Sequence, residues 1–196
     1  MRVVSGMNVI QPRRFQAPAE REPSQQVHLD LHVDDLAAAV REQRPDAAEL
    51  PDEQWTATFE TNVHAIYRIS RAALRYLEPG STIVTSTSIQ AYQPSPDKLD
   101  YASTKAAINT FTKALGQQLA PKGIRVNAVA PGPIWTPLQP SGGQKSEDLP
   151  EFGQSTPLGR AGQPTELAPA YVFLASEDAS YISGETLAVT GGALTP

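Results

Sequence analysis

The chain has 196 residues, of which 40% are hydrophobic and 19% are charged, and its formal net charge is −5. This length and composition fit one soluble domain with a hydrophobic core, and the negative charge argues against a general affinity for nucleic acid or anionic membranes. There is no cysteine, which excludes disulfides and thiolate chemistry. No apolar run approaches the ~20 residues that a membrane span needs, and the N-terminal MRVVSGMNVIQPRRF lacks the apolar core of a secretory signal. We therefore expect a cytoplasmic protein that binds neither nucleic acid nor membranes.

Residues 1–49 form an atypical N-terminal segment. The residues up to about 26 are polar and proline-containing and show no helical or strand period, which indicates a loop or a disordered lead. VHLDLHV, residues 27–33, alternates apolar and polar side chains as a half-buried strand does. DDLAAAVREQ then indicates a short helix that Pro45 ends.

Residues 50–196 show a different pattern, in which strands and helices alternate. LPDEQWTATFETNVHAIYRISRAALRYL predicts a long helix over residues 52–78, and STIVTSTS is a strand rich in β-branched residues. A second long helix is predicted over residues 101–120, and KGIRVNAVAPG has the weak alternation of a strand buried on both faces. A long loop over residues 133–163 precedes a helix, PTELAPAYVFLAS, and a last strand, GETLAVTGG. This order predicts an α/β protein with a parallel sheet covered by helices.

Tyr101 and Lys105 stand one helical turn apart in LDYASTKAA and therefore share one face of the predicted helix. A free tyrosine has a pKa of about 10, and a nearby cation favours the phenolate. A tyrosine tuned in this way can exchange a proton with a substrate oxygen near neutral pH. An isolated Y-x-x-x-K pattern is more often an exposed surface pair, so the pattern needs support from its surroundings. Ser88 provides some, because it follows a strand at the sheet edge where α/β proteins bind ligands.

Four segments carry a resemblance to a known family. TNVHAIYRISRAAL, GSTIVTSTSIQAYQPSPDKLDYASTKAAI, GIRVNAVAPGPIWTPL and SYISGETLAVTGG resemble the second half of a short-chain dehydrogenase/reductase over about residues 50–192. The resemblance implies a partial Rossmann-like, doubly wound parallel sheet that lacks its first strands and its glycine-rich loop. It also implies an oxidoreductase that moves a hydride between NAD or NADP and a small alcohol or carbonyl substrate.

The resemblance implies roles for single residues. Tyr101 would be the general acid or base, and Lys105 would favour its phenolate and bind the nicotinamide ribose. Ser88 would hydrogen-bond the reacting oxygen; Ser86 is a neighbouring alternative, but the spacing of 13 residues to Tyr101 favours Ser88. Asn62 would hold a water that links Lys105 to solvent.

The resemblance also assigns the segment PGPIWT to the nicotinamide side of the cofactor. Pro131, Gly132, Ile134 and Thr136 would contact the cofactor there, with the Ile134 backbone and the Thr136 hydroxyl as candidate hydrogen-bonding groups. The loop that matches residues 136–160 would set the choice of substrate.

No glycine stands between Gly6 and Gly80, so a glycine-rich turn for the cofactor's pyrophosphate is not found in its expected place. The residue that would select NAD or NADP is missing with it, and neither cofactor is preferred. The alternative function is therefore a truncated, non-catalytic remnant or an assembly module unable to bind cofactor. In the family, helices that match residues 52–78 and 101–120 pair between subunits, which implies a possible homo-oligomer.

The N-terminal segment has a separate resemblance. QQVHLDLHVDDLAAAVREQ, about residues 25–43, resembles a fragment of a glyoxalase-like protein of the vicinal oxygen chelate class, in which a histidine at the position of His28 can ligate a metal. A metal site needs three or more ligands in a fixed geometry. The other histidines are His32 and His64, and no motif places a carboxylate with them, so we predict no metal site.

Overall fold

A computed structural model of the protein describes residues 46–140 and 146–193, together with the backbone of a two-residue strand, Met7–Asn8. That strand lies inside the segment predicted to be a loop, and the loop prediction is wrong at these two residues. The predicted strand over residues 27–33, the helix after it and the glyoxalase-like segment lie outside the described residues. The division of the chain at residue 49 stays a prediction.

The described residues contain four strands and four α-helices. The strands are β1 (Met7–Asn8), β2 (Thr82–Ser86), β3 (Arg125–Pro131) and β4 (Thr186–Val189). The helices are α1 (Asp52–Phe59), α2 (Ala65–Ala73), α3 (Leu99–Leu119) and α4 (Pro164–Ala175). A π-helical turn, Glu60–His64, joins α1 to α2, and short 3-10 helices cover Leu74–Tyr76, Ile89–Ala91, Pro96–Lys98, Ala120–Lys122, Ser146–Glu151 and Glu177–Ala179.

The strands form one sheet in the order β1-β2-β3-β4. β2 and β3 are parallel with Ser86 opposite Val129, and β3 and β4 are parallel with Pro131 opposite Val189. β1 pairs with β2 in the antiparallel sense. The central prediction of a parallel sheet is confirmed, and all three parallel strands end at the same edge.

Helices cover both faces of this sheet. Neighbouring residues of a strand point to opposite faces, and in β2 the side chain of Ile83 packs with Ile66 and Ile108 of α2 and α3, whereas Val84 packs with Ala170 and Leu174 of α4. This two-sided core confirms the doubly wound, Rossmann-like α/β fold. No helix among the described residues is both long and apolar enough to cross a bilayer, and the cytoplasmic location stays a prediction.

Two predicted elements have more internal structure than the sequence indicated. The long helix is helical from Asp52 to Tyr76 but contains the π-helical turn at Glu60–His64. The long loop is closed at its base, because the Trp135 N–H donates to the Gly162 carbonyl at 2.8 Å. A Cβ on Gly162 would stand 2.7 Å from Ile134 Cδ1, so glycine allows this close approach.

Arg160 and Glu166 lie beside the base of the loop. The guanidinium of Arg160 donates to both carboxylate oxygens of Glu166, at 2.8 and 2.7 Å. Glu166 also accepts the backbone N–H of Gln163 at 2.8 Å and so completes a capping box at the start of α4. The hydrogen bond from Arg160, followed by that from Gln163, lowers the pKa of Glu166 to about 2.

This pKa makes the contribution of Glu166 to stability depend on pH. The folded-state pKa lies below the ordinary value of 4.5, so the stabilisation is complete above that value and disappears as the pH falls through about 2. We expect Glu166→Gln to lower the melting temperature near neutral pH, and the gap to wild type to shrink as the pH falls, in thermal melts followed by circular dichroism. Glu147→Gln, an exposed change in the same loop, is the matched control and should show no such trend. If the difference in melting temperature between wild type and Glu166→Gln did not change with pH, the contribution of the Arg160–Glu166 ion pair to stability would be contradicted.

Candidate active site

Three of the four predicted catalytic side chains lie where β2 ends and α3 begins. Ser88 follows the last residue of β2 by two positions, Tyr101 lies in the first turn of α3, and Lys105 lies one turn later. Ser88 and Lys105 are buried, with 7% and 4% of their surface exposed, whereas Tyr101 is 36% exposed. The site therefore has a buried cation and a tyrosine that opens to solvent.

The Lys105 ammonium lies close to the end of β2 and to the ring of Tyr101 in α3. Its Nζ donates to the main-chain carbonyl of Ser86 at 3.2 Å and lies 5.4 Å from the centroid of the Tyr101 ring. The hydroxyl of Thr87 donates to the Lys105 carbonyl at 2.7 Å, which ties this turn of α3 to the strand. An ammonium has three N–H donors, so two remain beyond the bond to Ser86. They are suited to a pair of hydroxyl oxygens such as those of a ribose.

The two candidate serines have different surroundings. Ser88 has an extended backbone and caps the short helix Ile89–Ala91, where its Oγ accepts the N–H of Gln90 at 3.2 Å. Its hydroxyl proton remains available to a substrate oxygen. The Oγ of Ser86 instead lies 2.6 Å from the hydroxyl of Tyr171 in α4. Ser86 is thus engaged on the α4 face of the sheet, and the choice of Ser88 as the reacting serine stays a prediction.

Asn62 lies in the π-helical turn and is 7% exposed. Its Nδ2 donates to the Thr104 hydroxyl at 3.0 Å, and that hydroxyl donates to the Tyr101 carbonyl at 2.7 Å. The amide thereby fixes the first turn of α3, which carries Tyr101. Single π-helical turns occur frequently at functional sites. The predicted water between Asn62 and Lys105 stays a prediction.

The predicted nicotinamide segment leaves the sheet at the same edge. Pro131 is the last residue of β3, and the N–H of Gly132 donates to the Val189 carbonyl at 2.9 Å. A Cβ on Gly132 would stand 2.8 Å from the Thr190 Cα, so a larger residue would push the chain off β4.

Ile134 and Thr136 follow in the closed base of the loop. Ile134 forms a parallel bridge with Gly162. The Thr136 hydroxyl donates to Oε1 of Gln139 at 2.7 Å. No hydrogen bond in the described structure joins these residues to Ser88, Tyr101 or Lys105, so what they share with the catalytic candidates is the edge of the sheet.

Sequence reasoning missed Tyr171, which belongs to a segment interpreted as core helix. It is indeed 6% exposed and packs in the core, but its hydroxyl bonds Ser86. Burial raises the pKa of Tyr171, an effect that the hydrogen bond from Ser86 opposes and the charge of Tyr101 reinforces. The sequence offered one signal for this contact: Tyr171 places a hydroxyl among the buried residues of α4, which are otherwise apolar.

Among the residues that the structure describes, no group of three histidine, aspartate or glutamate side chains could hold a metal ion. His64 is described, whereas His28 and His32 lie outside the described residues.

Comparison with known proteins places these features in one family. A family model described as enoyl-(acyl carrier protein) reductase matches residues 2–194. The uncharacterized oxidoreductase YhxD of Bacillus subtilis is 56% identical over 165 residues, which are 83% of this chain and 55% of that protein.

Two solved structures are also similar. A short-chain glucose/ribitol dehydrogenase from Brucella melitensis has a TM-score of 0.72 and 36% identity over 82% of this chain and 64% of that one. A 3-ketoacyl-(acyl-carrier-protein) reductase from the same organism, complexed with NADH, has a TM-score of 0.69 and 31% identity over 78% and 63%.

The chain spans about half the length of the relatives that it matches, 55% in the case of YhxD. The family model nevertheless matches nearly all of the chain, including much of the segment before residue 50. Sequence, fold and the arrangement of Ser88, Tyr101 and Lys105 agree with one another, and the chain belongs to the short-chain dehydrogenase/reductase family.

Proposed function

We propose that this chain carries the proton-transfer and nicotinamide side of an NAD(P)-dependent oxidoreductase that acts on an alcohol or carbonyl group. One observation carries the proposal. The ammonium of Lys105 is buried at 4% exposure and lies 5.4 Å from the ring centroid of Tyr101, which is itself accessible. A buried cation beside an open phenol is an arrangement for proton exchange with a bound molecule.

Tyr101 and Ser88 act on one oxygen of the substrate. In the oxidative direction the Tyr101 phenolate takes the proton of the substrate hydroxyl, and in the reductive direction the phenol returns it to the carbonyl oxygen. Ser88 donates its hydroxyl proton to the same oxygen, because its Oγ acts as an acceptor towards the Gln90 N–H and its proton is left for the substrate. The nicotinamide, when bound, supplies or accepts the hydride.

Lys105 and Asn62 support Tyr101 in different ways. The Lys105 ammonium lies beside the Tyr101 ring, and its two remaining N–H donors bind the hydroxyls of the nicotinamide ribose. Asn62 holds the first turn of α3 through Thr104. We also propose that Asn62 retains the water that connects Lys105 to solvent.

The cofactor is a nicotinamide dinucleotide, NAD or NADP, contacted by Pro131, Gly132, Ile134 and Thr136. This assignment is supported by the shared edge of β2 and β3 and by the structural relative that is complexed with NADH. The substrate is a small alcohol or carbonyl compound. The name of the Brucella melitensis glucose/ribitol dehydrogenase points to a polyol or sugar.

The alternative of a non-catalytic remnant or assembly module is less well supported. Such a remnant would be under no constraint to keep a buried ammonium, which is costly to desolvate. Lys105 nevertheless keeps its acceptor, Ser86, and Asn62 keeps its bond to Thr104. The glyoxalase-like fragment at about residues 25–43 remains a proposal without support from the comparisons.

We expect Tyr101→Phe to lower turnover by at least ~100-fold, because general acid–base catalysis typically contributes that much. The measurement is the absorbance of reduced nicotinamide with ribitol or glucose and either oxidised cofactor. Tyr181→Phe, at a fully exposed tyrosine, is the control and should leave turnover unchanged. Turnover that persists in Tyr101→Phe, with melting unchanged, would make the mechanism wrong.

We expect saturable binding of NADH or NADPH, followed by fluorescence, and binding weaker by at least roughly tenfold in Lys105→Met, since two hydrogen bonds from the charged ammonium to the ribose are lost. Lys113→Met, at an exposed lysine further along α3, should bind as wild type does. Absence of binding in the wild-type chain would favour the remnant instead.

We further propose a homo-oligomer assembled through residues 52–78 and 101–120. α1 and α3 are already joined within the chain, because the Thr58 hydroxyl donates to Asp100 at 2.7 Å. On the same layer, Tyr67 and Tyr76 remain 49% and 54% exposed. Exposed aromatic side chains on one helix are typical of subunit contacts.

The mass of the particle in light scattering tests this assembly. We expect a multiple of the chain mass in wild type and a smaller particle in Tyr67→Glu, because a carboxylate in an apolar contact is costly to bury. Val172→Glu, at a 60% exposed position of α4, is the matched control. Dissociation by Val172→Glu alone would place the contact on α4 and contradict the proposal.

A further inference from the structure

We propose that Tyr171 is a positioning residue for this site: through the hydroxyl of Ser86 it holds the main-chain carbonyl that accepts the Lys105 ammonium. This inference rests on the proposed function, because Lys105 matters to catalysis only if Tyr101 exchanges protons. Tyr171 lies on the opposite face of the sheet from α3, so the contact extends the site to a third element, α4.

The geometry of α4 explains how the hydroxyl reaches the edge of the sheet. Side chains of an α-helix lean towards the helix N-terminus. α4 begins after the loop that leaves the C-terminal edge of the sheet, so Tyr171 leans back towards that edge. Ser86 shares a strand face with Val84, the face that packs on α4. The two oxygens meet at 2.6 Å, a short hydroxyl–hydroxyl hydrogen bond.

Ser86 links two bonds that point in different directions. Its side chain bonds Tyr171, and its carbonyl accepts the Lys105 ammonium at 3.2 Å. Ser86 is the last residue of β2, and the peptide group that follows it is held to β3 by the Thr87 N–H, which donates to the Val129 carbonyl at 2.9 Å. The bond from the Ser86 side chain to Tyr171 adds a second restraint on this peptide group, whose oxygen faces Lys105.

The hydroxyl of Tyr171 stays protonated under ordinary conditions, because burial raises its pKa. Within residues 46–140 and 146–193, few charged and titratable groups lie around it. Tyr101 and Lys105 approach from α3, and Glu166 lies in the first turn of its own helix, held by Arg160. Arg125 of β3 lies at the other edge of the sheet, where it donates to carbonyls at the end of α4. The hydrogen bond between Tyr171 and Ser86 therefore joins two uncharged hydroxyls beside the site.

The kinetic test compares Tyr171→Phe, Ser86→Ala and the double variant with Tyr181→Phe as control. We expect kcat to fall roughly tenfold with KM for ribitol within about twofold, since the bond between Tyr171 and Ser86 affects the proton-transfer step. We also expect the acidic limb of the pH profile of kcat to move to higher pH. The double variant should be no worse than either single change, because both remove one bond. Additive losses, or an unmoved pH profile, would overturn the inference.

A second test needs no turnover. Reductive methylation followed by mass spectrometry reports how accessible each lysine amine is, and Lys113, which is exposed, serves as the internal reference for the buried Lys105. We expect Tyr171→Phe and Ser86→Ala to raise the methylation rate of Lys105 relative to Lys113 several-fold. An unchanged ratio in both variants would overturn the positioning role. If the wild-type chain shows no turnover, the proposed function fails while this ratio still decides the inference.

Discussion

The site depends on a charge that the fold has taken out of water. The Lys105 side chain is 4% exposed, and a buried ammonium is costly unless protein groups replace its hydration. The Ser86 carbonyl and the Tyr101 ring are the groups that do so in the described structure. Both belong to elements whose positions are fixed by the core, the end of β2 and the first turn of α3. Keeping the Lys105 ammonium buried therefore requires that the end of β2 and the first turn of α3 lie next to each other.

The parallel register makes that meeting possible. Ser86 stands opposite Val129, and Pro131 stands opposite Val189, so the ends of β2, β3 and β4 form one edge. The segment after β2 presents Ser88 there, and the segment after β3 begins the loop that starts at Gly132. The layers behind the edge are built on fully buried side chains such as Ile83, Val84 and Val129, and close packing leaves few alternative positions for the side chains they carry. Rigid elements hold the catalytic candidates, and the long loop is free to differ in sequence without disturbing them.

Periodicity and order predicted the main elements, because buried strands and long helices leave strong local patterns. The predicted helix over residues 101–120 is observed at Leu99–Leu119, and the three parallel strands lie within their predicted segments. The π-helical turn at Glu60–His64 left no such pattern, and it contains Asn62, whose side chain makes a tertiary bond to Thr104. Spacing favoured Ser88 over Ser86, but only the packing of α4 shows how Ser86 is engaged. Long-range contacts of this kind join residues 85 positions apart and cannot be read from local sequence.

Exposure divides the site residues into two groups with different tasks. Asn62, Ser88 and Lys105 are each less than a tenth exposed, whereas Tyr101 is 36% exposed. The buried group is held by bonds to backbone and to threonine hydroxyls, so its members are already arranged before any ligand arrives. The exposed phenol is the one that must be reached by a substrate. The chain matches only 55% of the length of YhxD, yet Lys105 and its acceptor Ser86, and Asn62 and its acceptor Thr104, all lie in the structure that this chain itself forms. The groups proposed to transfer the proton are thus arranged as one local structure, whereas the proposed hydride transfer also requires a cofactor held at the same edge.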